Sequence, residues 1–313
     1  MSAMRATGIG SMPGTHPEPI SRWIADTFAN DLIFVPELPA RGAPAAMIGR
    51  TLGLLDLDVD MLLGRWRMGA ARGLDADRAR SMYRQDLDAM EEALEGEPRE
   101  LKQQFAGPFT LAAGTELRSG QSVLSDAGAV NEMAQAVAHA IGEQTVALAR
   151  RFGAAPVIQI DEPSAPAVLA GQIRTTSGYA RYHSFSGDQT RHIWGLVTDV
   201  IHAAGAKAVV HSCAPDLDAR LVREAGFDGI SFDMSLTPAN DMWAEALEAG
   251  VELGPGALEP RAIESFVQGL GFSLETVHDQ LVISPSCGLA NLTAAESRAT
   301  LEHAIATRAS LSG

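Results

Sequence analysis

Residues 207–216 read KAVVHSCAPD, and an apolar run ends in this stretch at His211, Ser212 and Cys213. Alternate residues of an extended strand lie on one face, so we expect the His211 imidazole and the Cys213 thiol to point the same way. A nitrogen ligand and a sulfur ligand on one face form half of a zinc site. The stretch therefore predicts a strand that ends at a metal ion.

The second cysteine of the chain, Cys287, has a similar setting. Residues 281–290 read LVISPSCGLA, in which a β-branched run ends just before the cysteine. Taken singly, His211 or either cysteine could be a packed core residue, because free cysteine is among the most buried residue types. Three such ligands with one open position match a catalytic zinc site, whereas a structural site has four protein ligands. The combination therefore favours a catalytic Zn2+.

Strand-like and helix-like runs alternate along the whole chain, in eight cycles. This alternation predicts parallel β/α units, and eight of them favour one (β/α)8 TIM barrel over residues 1–313, with a doubly wound open sheet as the alternative. Barrel enzymes place their sites at the carboxyl ends of the strands. Unusual polar side chains follow the predicted strands at Ser11, Glu37, Asp161, Glu162, His211, Cys213, Asp233 and Cys287.

Three connecting segments carry more specific expectations. Residues 38–75 are a Gly/Ala/Pro-rich connection, for which we predict a helical turn. Apolar spacing predicts helices over residues 216–225 and 261–280.

The charge balance limits the partners of this chain. It has 39 acidic and 24 basic residues and a formal net charge of -15, which argues against nucleic acid or an anionic membrane as the main partner. No apolar run approaches the roughly 20 residues that span a bilayer. The N-terminal sequence MSAMRATGIG lacks the pattern of a signal peptide. We expect a cytoplasmic protein with reduced thiols that acts on small molecules, and a homodimer is a possible assembly.

The ligand types point to chemistry at sulfur. Zinc deprotonates an incoming thiol at neutral pH, and the thiolate is a nucleophile. Two cysteine thiolates already neutralise the ion, so a bound substrate sulfur keeps electron density for attack. Activation of water for hydrolysis more often uses histidines and a carboxylate. The set of ligands therefore favours alkyl transfer to a thiol.

Several motifs together resemble the catalytic half of cobalamin-independent methionine synthase, a fold related to uroporphyrinogen decarboxylase. The similarity runs from about Gly8 to about Leu292 and keeps the family's order. Its motifs are IGSMPGT, GPFT, QIDEP, HSC, DGISFD, GPG and SPSCGL. The resemblance implies a zinc-dependent S-methyltransferase, similar to the 5-methyltetrahydropteroyltriglutamate–homocysteine enzymes of methionine biosynthesis.

The resemblance also implies a metal site and a homocysteine pocket. In that family the H-x-C pair, a glutamate and a late cysteine bind zinc, and here Asp233 stands where the glutamate is expected. The implied metal ligands are therefore His211, Cys213, Asp233 and Cys287, although the shorter Asp233 could instead support a ligand. The implied homocysteine pocket is formed by Ile9, Gly10 and Ser11, with Asp161 at the substrate's ammonium group.

The carboxylate pair Asp161 and Glu162 is open to two readings from the residues alone. A pair at a strand end could be catalytic acid and base, or could cap a helix near Pro163. We favour substrate binding by Asp161 and a supporting catalytic role for Glu162. Glu37 could be a further contact for an amine.

The methyl donor is where the chain departs from the family. A histidine that the family uses for proton delivery after G-P-G is missing, since this chain reads GPGALEPR. The tryptophan of the family's folate pocket is missing too. Shorter relatives take the methyl group from a corrinoid, so we predict methylcobalamin or a corrinoid protein as donor in preference to methyltetrahydrofolate.

Three alternatives to this function are open from the sequence. The same zinc thiolate chemistry could open epoxides with coenzyme M, without an amino-acid contact at Asp161. A uroporphyrinogen decarboxylase-like enzyme would need no metal. A barrel with a structural zinc or a thiol-binding sensor would bind metal without turnover.

Overall fold

The computed structural model describes residues 4–69 and 71–312 of the chain. Its strands are β1 (Arg5–Ala6), β2 (Ile33–Phe34), β3 (Val59–Leu62), β4 (Arg65–Met68), β5 (Leu101–Ala106), β6 (Thr115–Glu116), β7 (Val157–Asp161), β8 (Lys207–Ser212), β9 (Gly229–Phe232), β10 (Glu252–Pro255) and β11 (Val282–Ile283). Its α-helices are α1 (Pro17–Thr27), α2 (Met47–Leu52), α3 (Leu74–Ala93), α4 (Pro108–Gly114), α5 (Ala127–Phe152), α6 (Ala165–Leu169), α7 (Gly187–Ala203), α8 (Ala219–Glu224), α9 (Asp241–Glu248), α10 (Pro260–Gly269), α11 (Leu274–Val277) and α12 (Ala294–Leu311).

The fold is α/β, built on a parallel six-stranded sheet in the order β10-β9-β8-β7-β5-β2. β1 pairs in parallel with β11 in a second sheet. Isolated parallel bridges connect this pair to both edges of the larger sheet, from Ser11 to Glu37 and from Leu253 to Leu281. The strands of the six-stranded sheet therefore follow one another in chain order from one edge to the other, while β3, β4 and β6 form a separate sheet.

The central strands are covered on both faces. Every residue of β5, β7 and β9 is buried, as is typical of parallel strands between helices. Outer helices contribute large apolar side chains, and Trp194 of α7 and Trp243 of α9 are each 1% exposed. Apolar helical spacing indicates a core or packing position for both, and also for Trp23 of α1, which is only half-buried.

Local signals set the ends of the longest helix, α5. The Asp126 carboxylate accepts hydrogen bonds from the backbone N–H groups of Gly128 and Ala129, which satisfies donors of the first turn. Gly153, with a φ of 68°, ends the helix in the left-handed conformation.

The predicted helix over residues 261–280 is wrong in its length. α10 ends at Gly269, and Gly271 has a φ of 88°, which glycine adopts without steric cost. The chain then forms the short α11 and a 3-10 turn. The predicted helix over residues 216–225 also begins later, at Ala219, because Asp218 caps its first turn.

The connection between β2 and α3 is more ordered than expected. It contains two 3-10 turns, the helix α2, and an antiparallel hairpin of β3 and β4. β4 pairs in parallel with β6, so the hairpin is joined to the segment after β5. The predicted helical turn is present as α2, and the hairpin was not predicted.

Across the two described ranges, no helix has both the length and the apolar character needed to cross a bilayer.

Asp31 joins the first strand to the last helix. Its Oδ1 accepts from the Ala6 N–H at 2.7 Å, and both carboxylate oxygens accept from the Arg308 guanidinium, at 3.1 and 2.7 Å. The Asp31 side chain is only 2% exposed, so water competes poorly for these bonds.

We expect Asp31→Ala to lower the free energy of unfolding by about 2–4 kcal/mol, because it leaves a buried N–H and a largely buried guanidinium without their acceptor. Urea denaturation measures the change. The control is Glu92→Ala, which breaks the exposed Arg22–Glu92 pair and should cost less than about 0.5 kcal/mol. Equal effects of the two substitutions would contradict this account.

Candidate active site

The register of the parallel strands brings polar side chains to one level. Asp161 of β7 pairs with His211 of β8, and His211 pairs with Ser231 of β9. Two residues earlier on β7, Gln159 pairs with Gln104 of β5. Because side chains alternate between faces, residues two apart on one strand share a face. The register therefore assembles a polar site among buried strands.

His211, Cys213 and Cys287 form a compact group of possible metal ligands. One ligand atom from each of these residues lies within 4.8 Å of the others. The two sulfur atoms are 3.1 Å apart, although 74 residues separate the cysteines in the chain. His211 is buried, Cys213 is half-buried and Cys287 is exposed, so the group is open on one side. One nitrogen and two sulfur ligands with an open side fit a metal ion that binds substrate.

The His211 imidazole is prepared for metal binding. Its Nδ1 is 3.0 Å from the Ser231 hydroxyl, which leaves Nε2 as the nitrogen available to an ion. Burial lowers the pKa of His211, and the neighbouring Cys287 opposes this shift. A neutral, oriented imidazole is the form that binds metals.

The hydrogen bond between the two thiols shifts their pKa values in opposite directions. The hydrogen bond from Cys213 is the largest cause that lowers the pKa of Cys287, and His211 adds to it. The same hydrogen bond raises the pKa of Cys213. The lowered pKa of Cys287 favours its thiolate, which is the form that binds a metal ion.

A pocket of about 320 Å³ opens beside this group. Besides the three possible ligands, it is lined by two acidic residues, Glu37 and Asp161. The remaining lining residues are Ile9, Ser11, Ala46, Met47, Gln104, Pro163, Gly288, Ala290 and Asn291. The volume suits a small amino acid beside a metal ion.

A family model described as "Cobalamin-independent synthase, Catalytic domain" matches residues 4–309. The chain belongs to this family. The match covers nearly the whole chain and confirms the resemblance predicted from the motifs. The protein is accordingly a methyltransferase of the cobalamin-independent methionine synthase type.

A solved structure with low sequence identity shares the fold. A B12-independent methionine synthase from Shewanella sp. W3-18-1, in complex with selenomethionine, is 12% identical and superposes with a TM-score of 0.60, covering 99% of this chain and 98% of that chain. The β-glycosidase from Thermosphaera aggregans is 10% identical with a TM-score of 0.42, covering 94% of this chain and 85% of that chain. No curated protein sequence matches the chain significantly.

In this member of the synthase family, the segment predicted to bind homocysteine is fixed on both sides. The Gly10 carbonyl accepts from the Glu37 N–H, and the Ser11 carbonyl accepts from the Leu289 N–H. Ile9 and Ser11 line the pocket. Gly10 is not among the lining residues. It packs closely against Gln104, since a Cβ there would lie 2.4 Å from the Gln104 amide nitrogen. The segment thus contacts both Glu37, which follows β2, and the loop that contains Cys287.

Asp161, predicted to bind substrate, lies in the pocket and is 6% exposed. Its Oδ1 accepts from the Gln159 amide at 2.7 Å. Burial raises the pKa of Asp161, and the hydrogen bond from Gln159 and the cation of Lys102 oppose this. Burial also lowers the pKa of Lys102, against the attraction of Asp161.

Glu37 is the second buried carboxylate of the pocket. Burial raises its pKa to about 7, while the guanidinium of Arg50 acts in the opposite direction. Arg50 is itself only 2% exposed, so its charge is weakly screened. Near neutral pH, Glu37 therefore changes between a neutral acid and an anion in the empty pocket.

Glu162, predicted as a catalytic residue, is bound entirely to the protein. Its carboxylate accepts from the N–H groups of Phe109 and Thr110, from the Thr110 hydroxyl and from the Trp194 indole. These four donors fill the acceptor positions of a carboxylate. Glu162 therefore holds the first turn of α4 against β7, and no acceptor position is left for substrate.

Asp233, predicted as a metal ligand, lies outside the group of possible ligands within the described residues. Its Oδ1 accepts from the N–H and the hydroxyl of Ser235, at 2.9 and 2.6 Å, and so caps a 3-10 turn. Aspartate is one methylene shorter than the glutamate of the family, which reduces its reach. The structure thus assigns Asp233 a capping role.

Lys102, Gln104 and Gln159 are site residues that sequence reasoning missed. All three are at most 3% exposed, and each lies on a strand that is buried along its whole length. The available signal was the polar run KQQ at residues 102–104, inside a stretch with the position of a central strand. A polar residue within a buried strand needs a partner: Lys102 and Gln159 bond to each other, and Gln104 donates to the Val35 carbonyl.

We expect the double variant Cys213→Ser, Cys287→Ser to lose stoichiometric metal, because serine hydroxyls remain protonated and replace both soft ligands. Elemental analysis of purified protein measures the metal content. Asp233→Asn is the matched control and should keep the metal content of the unaltered protein, since Asp233 lies outside the group. Full metal content in the cysteine variant would contradict the assignment.

Proposed function

We propose that this protein transfers a methyl group to the thiol of homocysteine, in a zinc-dependent reaction that forms methionine. The observation that carries this proposal is the placement of the His211, Cys213 and Cys287 ligand atoms within 4.8 Å of one another, on the wall of a pocket that also holds two buried carboxylates. The metal group suits a thiol, and the carboxylates suit an ammonium. Homocysteine carries both groups.

The proposal includes a single (β/α)8 barrel for the chain as a whole. The six-stranded parallel sheet, the β1–β11 pair and the bridges at both of its sides support eight strands in ring order. In such a barrel all carboxyl ends of the strands converge on one mouth. This arrangement explains how Ser11, near the start of the chain, reaches Cys287.

The residues fit zinc in their chemistry as well as in their position. His211, Cys213 and Cys287 offer the nitrogen and sulfur ligands that zinc prefers, and the open side leaves a position for the substrate. Zinc held there would lower the pKa of the substrate thiol, so that it enters the reaction as a thiolate. Ser231 keeps the His211 ring in a fixed orientation throughout.

The carboxylates of Asp161 and Glu37 bind the ammonium group of the substrate in this proposal. Both line the pocket and both are buried, so an ammonium placed between them forms charge-assisted hydrogen bonds with little competition from water. The same carboxylates repel an anionic thiol such as coenzyme M. They therefore favour homocysteine over the coenzyme M alternative.

The methyl donor in this proposal is a corrinoid. The substrate thiol loses its proton, and its sulfur forms the new S–CH3 bond. The bond between the methyl group and the donor breaks at the same time, and its electron pair stays on the donor. A corrinoid leaving group needs no protonation at carbon or nitrogen, which agrees with the sequence GPGALEPR, where the family's histidine is missing. Methyltetrahydrofolate would need a proton donor at that place.

The experiment that tests the proposal combines metal analysis with a methyl-transfer assay. Purified protein is supplied with homocysteine and either methylcobalamin or methyltetrahydrofolate, and methionine is measured. We expect about one zinc per chain, a change of zinc coordination in X-ray absorption when homocysteine is added, and methionine from methylcobalamin. Coenzyme M in place of homocysteine is the control thiol. Stoichiometric zinc whose coordination ignores homocysteine would overturn the proposal.

We expect Glu37→Gln to raise the KM for homocysteine by an amount that grows with pH. The pKa of Glu37 is about 7 in the empty pocket, so its carboxyl is mostly neutral at pH 6 and mostly ionised at pH 8. Only the ionised form attracts the ammonium strongly. The ratio of variant to unaltered KM should be near 1–3 at pH 6 and about 10 at pH 8.

Steady-state kinetics at both pH values measure this ratio, and the unaltered protein at each pH cancels the ionisation of homocysteine itself. Asp233→Asn, which removes a carboxylate outside the pocket, should leave the ratio near 1 at both pH values. A ratio for Glu37→Gln that stays constant with pH would show that the charge of Glu37 does not contact the substrate.

A further inference from the structure

We propose that Lys102 is a positioning residue for the substrate-binding carboxylate of Asp161, and that it acts through the amide of Gln159. The inference rests on the proposed role of Asp161 as an acceptor for the substrate's ammonium. Lys102 lies deep on β5, away from the pocket wall, and does not touch the substrate site.

Lys102 is bound on all sides by acceptors. Its Nζ donates to the Gly8 carbonyl at 2.6 Å, is 3.5 Å from the Ile9 carbonyl, and donates to Oε1 of Gln159. An ammonium has three N–H donors, and three acceptors surround this one. The side chain is 3% exposed, so the bonds are sheltered from water.

This arrangement determines which way the Gln159 amide faces. Because the Lys102 ammonium only donates, the amide atom next to it must be the oxygen. The NH2 group of Gln159 then points towards Ile9 and Asp161, and it donates to the Ile9 carbonyl at 2.9 Å and to Oδ1 of Asp161 at 2.7 Å. Oδ1 is thereby held, and Oδ2 is the oxygen left for an ammonium in the pocket.

A purely structural lysine is a poor explanation of this network. Burying an ammonium among strands is costly, and replacing a buried charge by an apolar residue of similar volume is often neutral or stabilising. Without the cation, the Gln159 oxygen loses its donor, and the amide is held only by the bonds of its NH2 group to Ile9 and Asp161. Lys102 also donates to the Gly8 carbonyl, so it joins the segment before Ile9 to the same network.

The test is Lys102→Met, which keeps an unbranched side chain close to the apolar stem of lysine and removes the ammonium with its charge and donors. We expect a folded protein with unchanged zinc content and a dissociation constant for homocysteine about 10- to 100-fold higher by titration calorimetry. KM should rise in parallel while kcat changes little. A thiol without the amino group, 4-mercaptobutanoate, should bind equally to both proteins, because it makes no ammonium contact.

The matched control is Gln103→Met, on the same strand. Gln103 is also fully buried but lies on the opposite face from Lys102, and its amide donates to the Gln104 carbonyl. Its replacement tests general damage to β5 and should leave homocysteine binding within about twofold. A similar loss in both variants would mean that Lys102 acts through strand stability alone, which overturns the inference.

A double-mutant cycle with Asp161→Asn completes the test. If Lys102 acts through Asp161, adding Lys102→Met to Asp161→Asn causes little further loss of homocysteine binding, whereas independent effects would multiply. Multiplying effects overturn the inference and leave the proposed function intact. Unchanged homocysteine binding in Asp161→Asn alone would instead remove the ammonium site of the proposed function, and the inference with it.

Discussion

The parallel register between β7 and β8 places Asp161 beside His211, and every other part of the site is arranged around that pair. On one side of the pair, Ser231 orients the imidazole and the two cysteine sulfurs lie near it. On the other side, Gln159 holds the carboxylate. A slip by one residue would turn each of these side chains to the outer face of the sheet. Register, fixed by apolar side chains buried on both faces, is thus the constraint that joins a metal site to an amino-acid site.

Buried cations lie near both acidic residues of the pocket. The two carboxylates of the pocket each have a buried cation behind them, Lys102 near Asp161 and Arg50 near Glu37. A lone carboxylate in such a place would bind a proton instead of a substrate. The cations oppose that outcome, while the burial that raises both pKa values also strengthens an ammonium contact once it forms. Burial of the two carboxylates therefore both costs free energy of folding and strengthens their contact with an ammonium group.

The family, and the grouping of His211, Cys213 and Cys287, could be predicted from the sequence because strand ends carry short, distinctive motifs. His211 and Cys213 alternate on one strand, and Cys287 repeats their setting. Asp233 and Glu162 were harder, because a carboxylate at a strand end serves equally as a ligand, a base or a cap, and only hydrogen-bond geometry separates these roles. The β3–β4 hairpin was missed because its turn has Leu63 at a φ of 52°, where asparagine or aspartate is the usual signal. Lys102 was missed because its partners are distant in the chain.

The contact between Ser11 and the Cys287 loop has a consequence for synthesis on the ribosome. The pocket is built from residues that are distant in the chain, from Ile9 to Asn291, and the Leu289 N–H bonds to the Ser11 carbonyl. While Cys287 is still inside the ribosome, the nascent chain offers only His211 and Cys213 of the three possible ligands. A group that offers all three ligand atoms therefore forms only after the segment around Cys287 has been synthesised and has packed against Ser11.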